Sequence, residues 1–534
     1  MNTVVIAVLS IGLFAIGYRI YGERLAKIYG VDPKNVTPAH KQFDGVDYVP
    51  AKHWTILFGH HFASISGAAP IIGPVIAVSI WGWGPAILWI VLGTIFIGGV
   101  HDFGALMVSI RHNGSTVAEV AESVVSKRAK VIFTLFVLLA LILVIAVFIY
   151  FCAKTLTADP RTVLPSLGLI PIAILVGHLM YNKKKRQRSA TLIGLGLLVV
   201  MAIAGNFIPV SLGSNSQFLW SVLLLIYCYA ASIAPVQLLL QPRDYLSSFL
   251  LLAGLVFGYL GIILSNAPAH IPAVTGWGTA KHPLWPMLFV TVACGAISGF
   301  HSLIASGTTS KQISSEADAR KIGYGGMVAE GLVSTMALLC IVAGIANKDT
   351  LTGLLSAGGP GPIGAFGIGF GNLTKIFLGG FGGLIAVMIL NAFILTTLDS
   401  ATRIGRYLTQ ELFGIKNRYV STFLVVLVSG WLGLSGKWLL LWPVFGAANQ
   451  LVAGISLMII GCWLLAKKGS ARYALIPAVL MLITAIGALL FQMIGCLRTG
   501  EQLLALISAL LLGLAIFVVL EILGRYKTKL IRNF

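Results

Sequence analysis

Charge is what this sequence has least of. Only 10% of its 534 residues are Asp, Glu, Lys or Arg, against about 25% in soluble domains. That shortage excludes a water-facing surface around a packed core, and with it a cytosolic enzyme, a nucleic-acid-binding protein or a disordered chain. Cysteine is scarce too. There are six, none in a CxxC pair, and Cys152, Cys228, Cys294, Cys340 and Cys462 sit inside apolar runs. They read as small packing residues, not as a metal or disulfide framework. No HExxH and no GxSxG occurs, so the signatures of zinc proteases and serine hydrolases are missing. Apart from residues 19–53 there is no long polar stretch, and no loop can bury a core of its own.

What is there is apolar: 57% of the residues, with a mean hydropathy of +0.94. The apolar residues come in long continuous runs, not in the ten-residue alternating segments of a membrane barrel, so the class is a polytopic all-α membrane protein. Runs near the bilayer-crossing length of about 20 residues fall at 2–18, 54–80, 84–110, 131–153, 163–181, 190–207, 218–240, 245–265, 284–310, 322–345, 375–398, 419–433, 438–466, 473–494 and 502–524, fifteen in all. The net charge of +20 does not point to nucleic acid, because the basic residues lie in short loops between these runs. With the N-terminus outside and the C-terminus inside, the inner loops hold 30 of the 37 lysines and arginines, Arg243 among them. The outer side holds Lys154, Arg161, Lys281, Lys348, Lys375, Lys437 and Arg498. That bias is the positive-inside pattern.

The first run has no basic residue before it and no small-residue cleavage site after it, so it is not expected to be a cleaved signal. The following YRIYGERLAKIYG is expected to lie along the membrane surface as an amphipathic helix.

Two segments are dense in helix breakers. The second contains Gly67, Pro70, Gly73 and Pro74 within eight positions, flanked by Ser64 and Ser66. Proline removes a donor and clashes with the preceding turn, and the backbone groups so freed at membrane depth must line a cavity or be buried in protein. A tolerated kink is the bland alternative. The seventh segment carries Ala231-Ser232-Ile233-Ala234-Pro235, an echo of Ala63-Ser64-Ile65-Ser66 and Ala69-Pro70. The two lie five runs apart, so they enter from opposite faces. Broken first helices of two inverted five-helix repeats point to a secondary transporter with a midplane site. The chain then divides into 1–53, a first repeat at 54–211, a second at 212–400 and additional helices at 401–534.

Several stretches resemble the carbon starvation protein A family: VDPKNVTPAH and DGVDYVPAKHW (31–54), LFGHHFASISGAAPIIGPV (57–75), GGVHDFGALMVSIRHNGSTVAEVA (98–121), QPRDYL (241–246), SGFHSLIASGTTSKQ (298–312), DARKIGYGGMVAE (318–330), TLDSATRIGRYL (397–408) and LWPVFGAANQLVAG (441–454). They extend over most of the chain up to residue 454. The resemblance implies an inner-membrane importer linked to peptide uptake and, in some members, to pyruvate, used in carbon starvation. It also implies the amino acid–polyamine–cation superfamily and its LeuT-like five-plus-five core.

Peptides and pyruvate share a carboxylate. A broken helix offers an N-terminus whose N–H groups and positive dipole end favour an anion. Ser64, Ser66, Gly67, Ala68 and Ala69 are therefore candidate substrate ligands, with Ser232 and Gln237 expected to face them; tight helix packing by small residues is the alternative. Intramembrane ionisable residues are candidates for ion coupling: His60, His61, His101, Asp102, His301, Glu330 and Asp399. Of these, His61, His101, Asp102 and Glu330 are the favoured proton carriers, since histidine titrates near physiological pH. Sodium is the rival ion. The superfamily's sodium site would fall between the second and ninth segments, and Ser306, Thr308 and Thr309 supply oxygen ligands of the kind a hard cation prefers. No cofactor or resident metal is expected. The expected partners are a small-molecule substrate and the lipid bilayer, with no nucleic acid. A membrane enzyme or a channel are the other classes.

Overall fold

The computed structural model describes residues 1–182, 187–279, 282–356, 359–436 and 438–532. Lys183, Lys184, Lys185, Arg186, Lys281 and Lys437, counted in the charge bias, lie outside the described residues. The chain is an all-helical bundle. Among the described residues twelve helices are long and apolar enough to cross a membrane, or up to thirteen if the bent pair at Trp54–Trp81 is one span.

Helix α1 (Thr3–Tyr29) runs on without a break through the stretch expected to lie on the membrane surface. Leu25 and Tyr29 are buried, and the Tyr29 hydroxyl donates to the Val100 carbonyl at 2.9 Å. The apolar face of this amphipathic stretch meets protein instead of lipid headgroups.

The next segment breaks where its sequence says it must. α2 (Trp54–Ile65) stops, and α3 (Ala69–Trp81) restarts at an angle of 42°. Pro70 falls in the first turn of α3, where no donor is lost. α4 (Trp83–Arg111), the short α5 (Val117–Val124) and the 32-residue α6 (Lys127–Ala158) follow. α7 (Pro160–Met180) and α8 (Gln187–Phe207) form a hairpin.

α9 (Ser216–Ile233) differs from the reading of its sequence. It ends at Ile233, and Pro235 lies beyond the end, where a proline commonly sits because it cannot continue a helix. The echo at 231–235 thus marks a terminus and not a midplane break. Its last carbonyls are capped from afar: Arg403 donates to the carbonyls of Ala231 and Ala234, and Arg406 to that of Ser232. α10 (Leu240–Ser265) begins at once, and Arg243, read from the sequence as a loop residue, is fully buried in its first turn.

The second broken segment is the one read as continuous, 284–310. Helical turns at Leu284–Leu288 and Phe289–Thr291 give way at Val292, and α11 (Gly299–Gly307) starts only after Ser298. The unwound stretch is held by distant side chains. Thr94 donates to the Gly295 carbonyl at 3.0 Å, and Asn449 Oδ1 accepts from the Phe300 amide at 2.8 Å and from Ser298 at 3.2 Å. These bonds satisfy groups that lipid cannot. Gly98 is part of the same fit, since a Cβ there would stand 2.5 Å from the Ala296 carbonyl.

α12 (Glu316–Gly344) and the short α13 (Lys348–Leu355) lead to a pair the sequence reads as one run at 375–398. They are α14 (Gly361–Leu378) and the 32-residue α15 (Gly382–Phe413). α16 (Arg418–Gly433), α17 (Trp438–Ala466), α18 (Arg472–Arg498) and α19 (Gln502–Arg532) complete the chain.

The packing is reciprocal. The two long helices α6 and α15 lie against each other, α9 and α16 each pack on both of them, α10 packs on α2 and α15, and α17 packs on α11 and α6. Segments assigned by charge to one side are tied together by ion pairs: Arg111–Glu316 at 2.9 Å, Lys130–Glu411 at 2.9 Å, Arg320–Glu23 at 3.3 Å and Arg403–Asp47 at 3.1 Å. Segments assigned to the other side also meet, as Asn2 with Asn266 and His270 with Val342.

Candidate functional site

The break between α2 and α3 is enclosed. Ser64, Ser66, Ala68 and Ala69 are all buried. The Ser64 carbonyl, released by the end of α2, accepts from the Thr397 hydroxyl of α15 at 3.1 Å, and Ser64 Oγ lies 3.1 Å from Ser400 Oγ. The Ser66 hydroxyl has no hydrogen-bond partner among the described residues. A Cβ on Gly67 would stand 2.8 Å from the Phe148 ring and 3.0 Å from Thr397 Oγ1, so α6 and α15 close over the break. Ser232 and Gln237 do not join this group. Ser232 Oγ lies 3.4 Å from Thr422 Oγ1 on α16, and Gln237 follows the end of α9, its carbonyl packed near Gly177 of α7.

One turn before the break, a buried charged network begins. His60 Nδ1 lies 2.6 Å from Asp244 Oδ2, to which Ser64 also donates at 3.3 Å. The other oxygen of Asp244 accepts from Arg243 at 3.2 Å. Arg243 pairs in turn with Asp399 of α15 and with the Tyr227 hydroxyl of α9, and Tyr227 donates to Asp399 at 2.8 Å. Arg243, Asp244, Tyr227 and Ser400 were not among the residues singled out from sequence. The available signal was an Arg-Asp pair at the very start of an apolar run, within the matching stretch QPRDYL.

A second buried network joins α4, α11 and α12. Asp102 receives His101 Nδ1 at 2.8 Å on one oxygen and His301 Nδ1 at 2.9 Å on the other, and His301 Nε2 lies 3.0 Å from Glu330. Here the sequence candidates His101, Asp102, His301 and Glu330 are brought together.

The hydroxyls of the segment after α11 lie against the histidines of α2. Thr308 Oγ1 is 3.1 Å from His60 Nε2, and Thr309 Oγ1 is 2.9 Å from His61 Nδ1. Ser306 is engaged elsewhere, donating to the Ser302 carbonyl at 2.7 Å and accepting from the Val117 amide at 3.2 Å.

At the charged end of the bundle, residues 44–51 form a strap. The Val46 carbonyl accepts from the Val236 amide, the Ala51 amide donates to the Gln312 carbonyl, and Asp47 is gripped by Arg403 and Arg406. Burial works against the charge of Asp47, but the two guanidiniums outweigh it and hold the carboxyl below the usual carboxylate range. Beside it Lys311 is packed between Tyr48 and Tyr407, and burial lowers its ammonium below the usual lysine range.

The sequence model of the family described as carbon starvation protein CstA matches residues 2–359 and 343–488. The chain belongs to the CstA family. It is 33% identical to the peptide transporter CstA of Escherichia coli (strain K12), over 91% of this chain and 81% of that one. It is 31% identical to the pyruvate/proton symporter BtsT of the same organism, again over 91% and 81%. Its fold is similar to that of solved transporters. MhsT in complex with L-phenylalanine matches with a TM-score of 0.56 at 15% identity, covering 83% of this chain and 99% of that one. The Eremococcus coleocola manganese transporter matches with a TM-score of 0.53 at 12% identity, covering 90% and 98%. This CstA-family chain is a multi-pass membrane protein and a secondary active transporter.

Proposed function

We propose that this CstA-family chain imports small carboxylates, peptides or pyruvate, across the bacterial inner membrane together with protons. The fifteen crossings run from an outer N-terminus to an inner C-terminus, with each broken segment counted once and α14 folded against the outer part of α15 without crossing. The inverted repeats are best divided as α2/α3, α4, α6, α9 and α10 against the 284–307 segment, α12, α15, α16 and α17. The reciprocal packing supports this division, in which α7 and α8 are an insertion, over one at residues 211 and 212. The substrate carboxylate sits at the break between α2 and α3, near Ser64 to Ala69, where the positive end of α3 begins.

The observation that carries proton coupling is the Asp102–His301–Glu330 chain, since it links the second broken segment to the helices beside it through groups that exchange protons. His61, His101, Asp102 and Glu330 remain the proposed proton carriers. Sodium at Ser306, Thr308 and Thr309 is the weaker reading, because each hydroxyl is already spent on a histidine or on backbone groups. Uptake of labelled pyruvate and dialanine into right-side-out vesicles tests both, with a pH gradient and a sodium gradient imposed separately. Accumulation driven by sodium alone would overturn proton coupling. Counterflow that saturates with substrate separates a carrier from a channel or an enzyme.

A further inference from the structure

The network around Arg243 holds more negative groups than positive ones. A fully buried arginine keeps its charge and needs a carboxylate. Arg243 has two, Asp244 and Asp399. Yet the set is not saturated: Arg243 Nε and Asp399 Oδ1 have no hydrogen-bond partner among the described residues, although both side chains are buried. Asp244 also abuts the proposed carboxylate site, and Asp399 is joined to it through the shared Arg243. Asp244 accepts from Ser64, and Ser400, the neighbour of Asp399 in sequence, lies against Ser64. The unpartnered Ser66 hydroxyl is two residues further on.

We propose that Arg243 is the receptor for the substrate carboxylate and that Asp399 is the internal carboxylate it replaces. This rests on the reading of the chain as a proton-coupled carboxylate importer. An arginine fork suits a carboxylate in two-point contact, and Asp399 occupies one side of that fork while no substrate is present. A third carboxylate cannot join two others around one guanidinium without leaving a buried negative charge uncompensated. The charge is removed when Asp399 takes a proton as the substrate displaces it. One carboxylate and one proton then enter the cluster together and its net charge is unchanged. Asp399 is the partner to be displaced because Asp244 is also held by His60 and Ser64, whereas Asp399 keeps Tyr227 as a donor whether or not Arg243 leaves. The groups that face the site are Asp244 on α10, His60 on α2, Tyr227 and Cys228 on α9, Cys152 on α6 and Arg403 on α15. None of them except Asp244 and His60 shares the Arg243 charge balance as an alternative proton holder.

The test is calorimetric titration of the purified full-length protein with pyruvate and, separately, with dialanine, in buffers of different ionisation enthalpy. Wild type is expected to take up close to one proton per ligand bound, so that affinity rises about tenfold per unit fall in pH. Asp399→Asn is expected to bind both ligands with no proton uptake and no pH dependence of affinity. Arg243→Gln is expected to lose binding. Because that change strands two carboxylates, the charge-balanced Arg243→Gln/Asp399→Asn pair is measured beside it, with thermal unfolding to show that it folds; it too should not bind. Proton uptake that persists in Asp399→Asn, or binding that persists in a folded Arg243→Gln variant, overturns the inference. If wild type binds the ligands equally well with the carboxylate replaced by a carboxamide, the underlying carboxylate reading fails first. If only one of the two ligands binds, the carboxylate chemistry stands and that ligand identifies its source.

Discussion

Two charged networks lie among the helices around the two helix breaks, and they differ in one component. The network of His60, Asp244, Arg243 and Asp399 contains an arginine, whose charge no physiological pH removes. The network of His101, Asp102, His301 and Glu330 contains none. A fixed positive charge attracts an anion, so the proton demand of the first network changes when a carboxylate arrives. The second has no such lure, and on the proposed reading a proton there is tied to a conformational change that alters what faces it. Under the proposed exchange, substrate-linked protonation belongs to one network and conformation-linked protonation to the other.

The largest effect should come from closing the arginine side. Gly67 already meets Phe148 and Thr397, and Gly67→Leu puts a bulky side chain into that contact. Uptake of pyruvate and dialanine should fall to background while membrane expression stays near wild type. Normal uptake by this variant would take the α2–α3 break out of the site and the comparison with it.

How far the sequence revealed this contrast varies from break to break. The first break was legible because two glycines and two prolines stand together. The second was not: Val292 to Ser298 holds no proline, and its unwinding is set by Thr94 and Asn449, which lie far away in the chain. Hydropathy also sets charge apart as loop, and so it misplaced Arg243. Nothing local says that Asp399, on another helix, neutralises it. The histidine network was legible residue by residue, since each member interrupts an apolar run, but not as a network. Pro235 misled because a proline just past a helix end and one in a broken helix look alike in a short echo. α14 was missed because its glycines lower both hydropathy and helix propensity; the close packing of Gly369 against Cys340 of α12 is what recovers them.

A smaller loss is expected from Glu330→Gln, which keeps the shape of the second network and removes one titrating group. Accumulation driven by a pH gradient should fall by the share of one coupled proton, about tenfold per pH unit, leaving the share that enters with the substrate at Asp399. Counterflow of labelled substrate and the pH dependence of binding affinity should remain, because both belong to the arginine network. If Glu330→Gln instead abolishes the pH dependence of affinity, the two networks are one titrating unit.

Ligand charge probes the arginine side alone. Dialanine with an amidated C-terminus should compete about 10- to 100-fold less well than the free acid, the loss expected for hydrogen bonds to a charged group, about 1.5–3 kcal/mol. Acetone, which lacks the anion, should not compete with pyruvate. Neither ligand should alter the pH dependence of exchange. Equal competition by amide and acid would remove the carboxylate from the arginine network.

The finest test uses two adjacent residues. Thr308 bonds His60, which belongs to the arginine network, and Thr309 bonds His61. Removing one hydroxyl costs about 1 kcal/mol of hydrogen bonding, or about a fivefold change in an equilibrium constant. If the networks act separately, Thr308→Ala should weaken substrate affinity by about that factor and leave the pH profile of turnover in place. Thr309→Ala should do the reverse, since His61 feels the charges of Asp102 and His301 in the second network, besides that of its neighbour His60. Neither change should affect the sodium dependence of uptake, which proton coupling predicts to be flat. A rise in the sodium concentration needed by both variants would mean that the hydroxyls bind the ion, and sodium would replace the proton as the coupled species. If the two variants shift affinity and pH profile alike, His60 and His61 report to one network, and the division between substrate-linked and conformation-linked protons does not hold.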